Sequence, residues 1–235
     1  ERALLETEFY KAHFGKHPTP VMRAMFFKYL CEKKTLYIGK DELIVGERGP
    51  LPKSVPTFPE LTCHTGEDLK ILNHREMTPF KIPEADIHIY ETQVLPYWKG
   101  RSMRDRVFGQ VPEEWSTAYK AGLFTEFMEQ RAPGHTTLDD AIYKKGMLDY
   151  KQEIAQSISS LDYLNDPEAS DKAEMLKAMD IACDAAIIFA ERHADLAEKM
   201  ARTEDNGIRK EELLNISRVC RRVPAHAPSD FWEAL

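Results

Sequence analysis

The sequence predicts a mainly α-helical fold with one or two short strands. Three observations point there. Apolar residues recur three or four apart over residues 170–202. Capping and breaking signals punctuate most of the remaining chain. Leu43-Ile44-Val45-Gly46 alone reads as a strand. With 235 residues and no repeat, low-complexity tract or clear linker, residues 1–235 read as one large domain or a piece of something larger.

Taken in order, residues 1–14 set Leu4, Leu5, Phe9 and Tyr10 among charges, and a turn follows at His17-Pro18-Thr19-Pro20. Residues 21–33, rich in Met, Phe and Leu, predict a mostly buried helix. The short strand at 43–46 is β-branched and bounded by Gly46 and Gly49-Pro50. Pro50, Pro52, Pro56 and Pro59 exclude a helix over 49–66 and predict an ordered, extended loop. Helices resume at 67–73 and 84–97, and Pro112-Glu113-Glu114-Trp115 opens another. Gly122 and the turn at Arg131-Ala132-Pro133-Gly134-His135 interrupt the stretch that follows.

Thr137-Leu138-Asp139-Asp140 predicts a cap for a helix running to about Leu161, with Ile142, Leu148, Ile154, Ile158 and Leu161 inward. Asn165-Asp166-Pro167-Glu168 marks another start. The strongest helix follows, with Leu176, Met179, Cys183, Ile187, Ala190, Ala194 and Ala197 on one stripe and Asn206-Gly207 as its end. Residues 209–221 turn Leu213, Ile216 and Cys220 inward. Ser229 or Asp230 caps a last helix whose Phe231, Trp232 and Leu235 start an apolar stripe, so the sequence is expected to continue past residue 235.

Apolar residues make up 43% of the chain, enough for a core. A net charge of -7 and a pI near 5.7 argue against nucleic acid or an anionic membrane as partner. No apolar run approaches the ~18 residues of a membrane span, and a signal-peptide layout is missing. Cys31, Cys63, Cys183 and Cys220 lack CxxC spacing, which argues against an oxidised scaffold or a zinc site and predicts reduced thiols in a cytoplasmic protein.

No P-loop, GxGxxG, GxSxG or HExxH is present. Cys63-His64 are neighbours in an extended stretch, where side chains point to opposite sides, so they make a poor nucleophile–base pair. Residues 122–135 are denser in functional side chains. Their Pro-Gly turn can set His135 at the mouth of the next helix, either to meet an anionic substrate and move a proton, or merely to pack the turn. Phe127 reads on its own as a core aromatic. Glu126, Glu129 and Arg131 read as a salt-bridge cluster, and Arg221-Arg222 as surface or interface.

The run Phe124-Thr125-Glu126-Phe127-Met128-Glu129-Gln130-Arg131-Ala132-Pro133-Gly134-His135, followed by Ile142-Tyr143-Lys144-Lys145-Gly146 and Leu148-Asp149, resembles the pyruvate formate-lyase-like glycyl radical enzymes. Within them it is most similar to the branch that dehydrates trans-4-hydroxy-L-proline. Further matching blocks are Glu42-Leu43-Ile44-Val45-Gly46-Glu47, Pro56-Thr57-Phe58-Pro59-Glu60, Cys63-His64-Thr65, Glu67-Asp68-Leu69, Ala182-Cys183-Asp184-Ala185 and Val223-Pro224-Ala225-His226.

The resemblance implies that residues 1–235 are the N-terminal helical part of a ten-stranded α/β barrel enzyme. It implies a protein glycyl radical outside this chain, installed by a radical S-adenosylmethionine activating enzyme under anaerobic conditions, and a homodimer. It further implies that Phe127 packs on the substrate ring and that His135 makes a polar contact and assists loss of hydroxide. The family's Gly-Cys-x-Glu and Arg-Val-x-Gly-Tyr motifs have no counterpart here, so this chain alone is expected to be inactive. Sister enzymes that cleave hydroxyalkyl sulfonates or decarboxylate arylacetates share the scaffold. A truncated, non-catalytic helical module is the reading from another class.

Overall fold

A computed structural model describes residues 1–54, 56–124 and 139–235. The chain forms two compact units. One holds the described residues of 1–7 and 52–137, the other those of 8–51 and 138–235.

The larger unit is organised by one helix. The part of α1 (Arg2–His13) from Glu8 onward and α2 (Thr19–Lys33) precede it, α8 (Met147–Ser159) leads into it, and α10 (Gly207–Arg222) and the short α11 (Phe231–Ala234) follow. The helix itself, α9 (Ala169–Thr203), has 35 residues and is about 50 Å long at 1.5 Å per residue. α2, α8 and α10 all pack on it. Ala185, Ala194 and Ala197 are fully buried and Ala201 nearly so. Alanine projects only a methyl group, so neighbouring helix backbones can approach closely at these positions. Leu213 and Ile216 of α10 fill the space above Ala197 and Ala201, together with Ile38. Val21 and Ala24 of α2 meet Ala178, and Phe9, Met22 and Phe26 form a separate aromatic cluster. Lys151 of α8 bridges Asp180 and Asp184 of α9 at 2.7 and 2.8 Å, and Lys28 of α2 reaches Asp184 at 3.3 Å.

The expected stripe on this helix is borne out at Cys183, Ala194 and Ala197, whereas Met179 is exposed. Asn206-Gly207 does not end α9, which stops at Thr203. The Asn206 side chain accepts from the Ile208 and Arg209 amides and so opens α10.

The expected strand at residues 43–46 is absent, and no strand occurs among the described residues. A strand needs a partner for its amides and carbonyls. Here the surrounding segment is held by side chains instead. Buried Arg209 donates to the carbonyls of Gly39 and Glu42 at 2.9 Å each, Lys34 donates to the Glu47 carbonyl, and Glu42 accepts from the Gly39 amide. Ile44 is left exposed while Ile38 takes the core position.

The helix expected from 137 to about 161 is interrupted. A 3-10 turn (Asp139–Tyr143) is followed by a break, and α8 starts at Met147. Of the five residues expected inward, only Ile154 is buried; Ile142, Leu148 and Ile158 are exposed. The break falls at Gly146, which lies against the backbone of residues 225 and 226. The apolar residues of the last helix, Phe231, Trp232 and Leu235, are likewise exposed in this chain.

The smaller unit contains α3 (Gly66–His74), α4 (Glu84–Ile89), a π-helical turn (Tyr90–Val94), α5 (Leu95–Trp98), α6 (Met103–Phe108) and α7 (Glu113–Lys120). Thr65 and Asp68 form a reciprocal capping box on α3. The helix expected over 84–97 is present but widens to a π turn, where the Leu95 amide reaches back to the Tyr90 carbonyl. Pro96 follows directly; it has no amide and crowds the carbonyl four residues earlier, which accounts for the altered register. The described residues of the Pro-rich loop are free of helix up to Thr65, with Gly66 already in α3, and the carbonyls of Glu60 and Leu61 receive the amides of Met103 and Arg104 at the start of α6.

Leu213 is fully buried against α9. Leu213→Ala should therefore destabilise the larger unit by about 2–5 kcal/mol. Exposed Ile208→Ala should change stability by less than about 0.5 kcal/mol. Chemical denaturation of the two variants checks the contrast.

Candidate functional site

Phe127 and His135, together with Glu126, Glu129 and Arg131, lie outside the described residues. What the structure describes is the chain on either side of them.

On the N-terminal side, Phe124 is half-buried in an aromatic box. Its ring meets Trp115 edge-on at 4.8 Å, Trp115 stacks on Tyr119 at 5.6 Å and 5°, and Phe108 stands edge-on to both. Arg104 covers the Phe108 ring at 4.2 Å and donates to the Tyr119 hydroxyl at 3.3 Å. Offset and edge-on pairs of this kind each contribute about 0.5–1.5 kcal/mol beyond their buried area. Phe124 is thus fixed three residues before Phe127.

On the C-terminal side, the chain passes through the 3-10 turn to Gly146 and α8. The amides of Met147 and Leu148 donate to the carbonyls of Pro224 and Ala225 at 2.8 and 3.0 Å. Asp149 accepts from the Gly146 amide at 2.8 Å. Three of the amide groups at this helix start are therefore satisfied, two of them by a segment some 75 residues distant in sequence.

Perturbed carboxyl groups often mark functional sites, and among the described residues Glu6 is strongly perturbed. Its side chain is 1% exposed and pairs with Arg2 at 2.9 Å, while Arg2 also holds Glu60 at 2.6 Å and the Thr57 carbonyl at 3.0 Å. Burial first, then hydrogen bonding to Glu60, pushes the Glu6 carboxyl well above the usual carboxylate range, against the pull of Arg2. The Arg2 guanidinium lies 4.1 Å from the Phe58 ring. Glu60 and Thr57 belong to the Pro-rich loop and Glu6 to α1, so these contacts dock that loop. The Arg2–Glu6 spacing is legible in the sequence; the partnership with Glu60 is not.

Cys63 and His64 behave as filling. The Cys63 thiol lies 3.7 Å from the Pro59 carbonyl, burial pushes it up to about 11, and the His64 amide donates to the Tyr90 hydroxyl. All four cysteines are free thiols. Arg221 pairs with Asp195 at 2.5 Å, and Arg222 pairs with Glu233 at 2.9 Å. Among the described residues, no helix is long and apolar enough to cross a membrane.

Residues 1–235 match the family model described as pyruvate formate lyase-like. The chain belongs to the pyruvate formate-lyase-like family. It is 46% identical over 235 residues to trans-4-hydroxy-L-proline dehydratase of Clostridioides difficile, which aligns with all of this chain over 30% of its own length. It is 32% identical to isethionate sulfite-lyase of Oleidesulfovibrio alaskensis, again over the whole of this chain and 29% of that enzyme. Among solved family structures, the hydroxyproline dehydratase of Clostridioides difficile with trans-4-hydroxy-L-proline bound superposes with a TM-score of 0.92, covering 100% of this chain and 30% of that one. A glycyl radical enzyme from Archaeoglobus fulgidus, 29% identical, superposes at 0.86 over 99% of this chain and 30% of its own. The chain therefore spans about 30% of the length of the relatives it matches.

The raised Glu6 group fixes the sign of a pH effect. A carboxyl whose folded pKa lies above its unfolded value of 4.5 binds its proton more tightly when folded. Its contribution to stability is complete below that value and is lost as pH rises toward the folded pKa. Stability of the smaller unit should fall over this range, and Glu6→Gln should flatten the slope in denaturation curves recorded from pH 5 upward.

Proposed function

We propose that this chain is the N-terminal portion of a glycyl radical dehydratase that removes water from trans-4-hydroxy-L-proline to give a pyrroline carboxylate. The observation that carries this reading is identity of 46% to the hydroxyproline dehydratase over the whole length of this chain, against 32% to the sulfite-lyase.

The chemistry fits the side chains assigned to it. Elimination of water is redox-neutral overall, and hydroxide leaves poorly unless protonated. In this reading His135 makes a polar contact to the substrate and assists that departure, while the ring of Phe127 packs on the pyrrolidine ring. Phe127 suits a compact ring better than a sulfonate, which calls for an arginine at such a position. The radical is supplied by loops beyond this chain, within a ten-stranded α/β barrel that completes the site. A radical S-adenosylmethionine enzyme installs it under anaerobic conditions, and the whole protein is a cytoplasmic homodimer.

The test is an anaerobic assay of the activated full-length protein. Turnover of trans-4-hydroxy-L-proline, with isethionate left intact, supports the reading; the reverse result overturns it in favour of a sulfonate lyase. Within the active enzyme, His135→Ala should lower kcat by about 10²–10⁴-fold. Phe127→Ala should raise KM about tenfold.

A further inference from the structure

His193, on α9, is a buried imidazole, 2% exposed. Its Nδ1 lies 2.9 Å from the Phe189 carbonyl, one turn back on the same helix. A carbonyl oxygen only accepts, so Nδ1 carries the proton of the neutral ring and Nε2 is left to take a second one. His13 and His74 make the same contact to carbonyls four residues back, but neither is buried. The Phe189 ring stands edge-on to the imidazole of His193 at 4.5 Å.

Two cations work beside this ring. Arg192 donates to the carbonyls of Cys31 and Lys34 at the C-terminal end of α2, the second at 2.9 Å. Carbonyls at a helix end have no partner within the helix, so Arg192 supplies one. Lys34 lies 5.0 Å from the Phe189 ring centre and donates to the carbonyls of Glu47 and Arg48 at 2.8 and 3.1 Å. Among the described residues, the charged groups that act on His193 are Lys34, from the end of α2, and Arg192, from α9 itself. α8 and α10, which also pack on α9, add none. Burial foremost holds the ring below the usual histidine value of 6.5; the Phe189 carbonyl pulls the other way, and the two cations add to the lowering. A second proton would place a third positive charge in this cluster, away from water.

We propose that His193 is an acid-sensitive latch: a proton on Nε2 drives Arg192 and Lys34 off their carbonyls, fraying the end of α2 and freeing residues 47–48. The middle of the intervening segment stays in place, since Arg209 holds the Gly39 and Glu42 carbonyls and Ile38 sits in the core. The sign follows from the lowered value. The folded state binds the proton less tightly than the unfolded state does. The contribution of neutral His193 is therefore complete above 6.5 and is lost as pH falls through the folded value.

The test uses the full-length protein, His193→Gln and, as a surface control, His17→Gln, whose site is exposed. Hydrogen exchange over residues 30–36 is read from about pH 7 down to about pH 5 and corrected for the intrinsic chemistry of the amides. The unaltered protein and the control are expected to lose protection there by about tenfold or more at the acid end, and His193→Gln by less than about twofold. Deuterium uptake at the imidazole carbon of His193 in the unaltered protein gives the titration midpoint directly, and it decides the matter should His193→Gln not fold. That midpoint is expected below 6.5 and at the same pH as the loss of protection. A midpoint at or above 6.5, two midpoints that do not coincide, no loss of protection in the unaltered protein, or an equal loss in His193→Gln would each overturn the latch.

Discussion

Close approach of helices at the buried alanines of α9, which serve partners on more than one of its sides, is the constraint on which the larger unit depends. Ala185, Ala194 and Ala197 are fully buried, and larger side chains there would push α2 or α10 outward. With backbones this near, the remaining volume is filled by residues from the partners, chiefly Leu213 and Ile216 of α10. Charge follows the same geometry: Lys28 and Lys151 come from two different helices to the acids of α9. Arg209 then uses the fixed start of α10 to hold the carbonyls of Gly39 and Glu42.

Helical content was legible in the sequence because capping and periodicity are local. Asp230 caps the last helix through its own side chain, as expected, whereas Asn206, read as ending α9, opens α10 in the same way. What was not legible depends on remote partners. The β-branched run at 43–46 looks like a strand, yet Arg209 and Lys34 take the neighbouring carbonyls and no second strand is offered. The helix drawn through Gly146 breaks where residues 225 and 226 lie against it, a contact some 80 residues away in sequence. The exposed stripe at Phe231 and Trp232 shows the same limit from the other side, since amphipathic spacing reveals a face without revealing its cover.

Of the candidate site, the sequence names Phe127 and His135 through resemblance, and both lie outside the described residues. Phe124 and Gly146 each sit at a fixed point, the first by stacked rings and the second by backbone contact. Neither role follows from residue type alone: Phe124 is one aromatic among 23, and Gly146 one glycine among 11. Glu233 lacked a signal for the same reason, because its donors Arg218, Arg222 and Ser229 converge only after α10 has ended and the chain has turned back.

The most direct measurement of the central claim is a structure of the full-length protein with trans-4-hydroxy-L-proline bound. The account predicts the Phe127 ring within about 4 Å of the pyrrolidine ring. It also predicts a His135 ring nitrogen within about 3.2 Å of a polar atom of the ligand. A bound ligand with both side chains turned away from it would contradict the account.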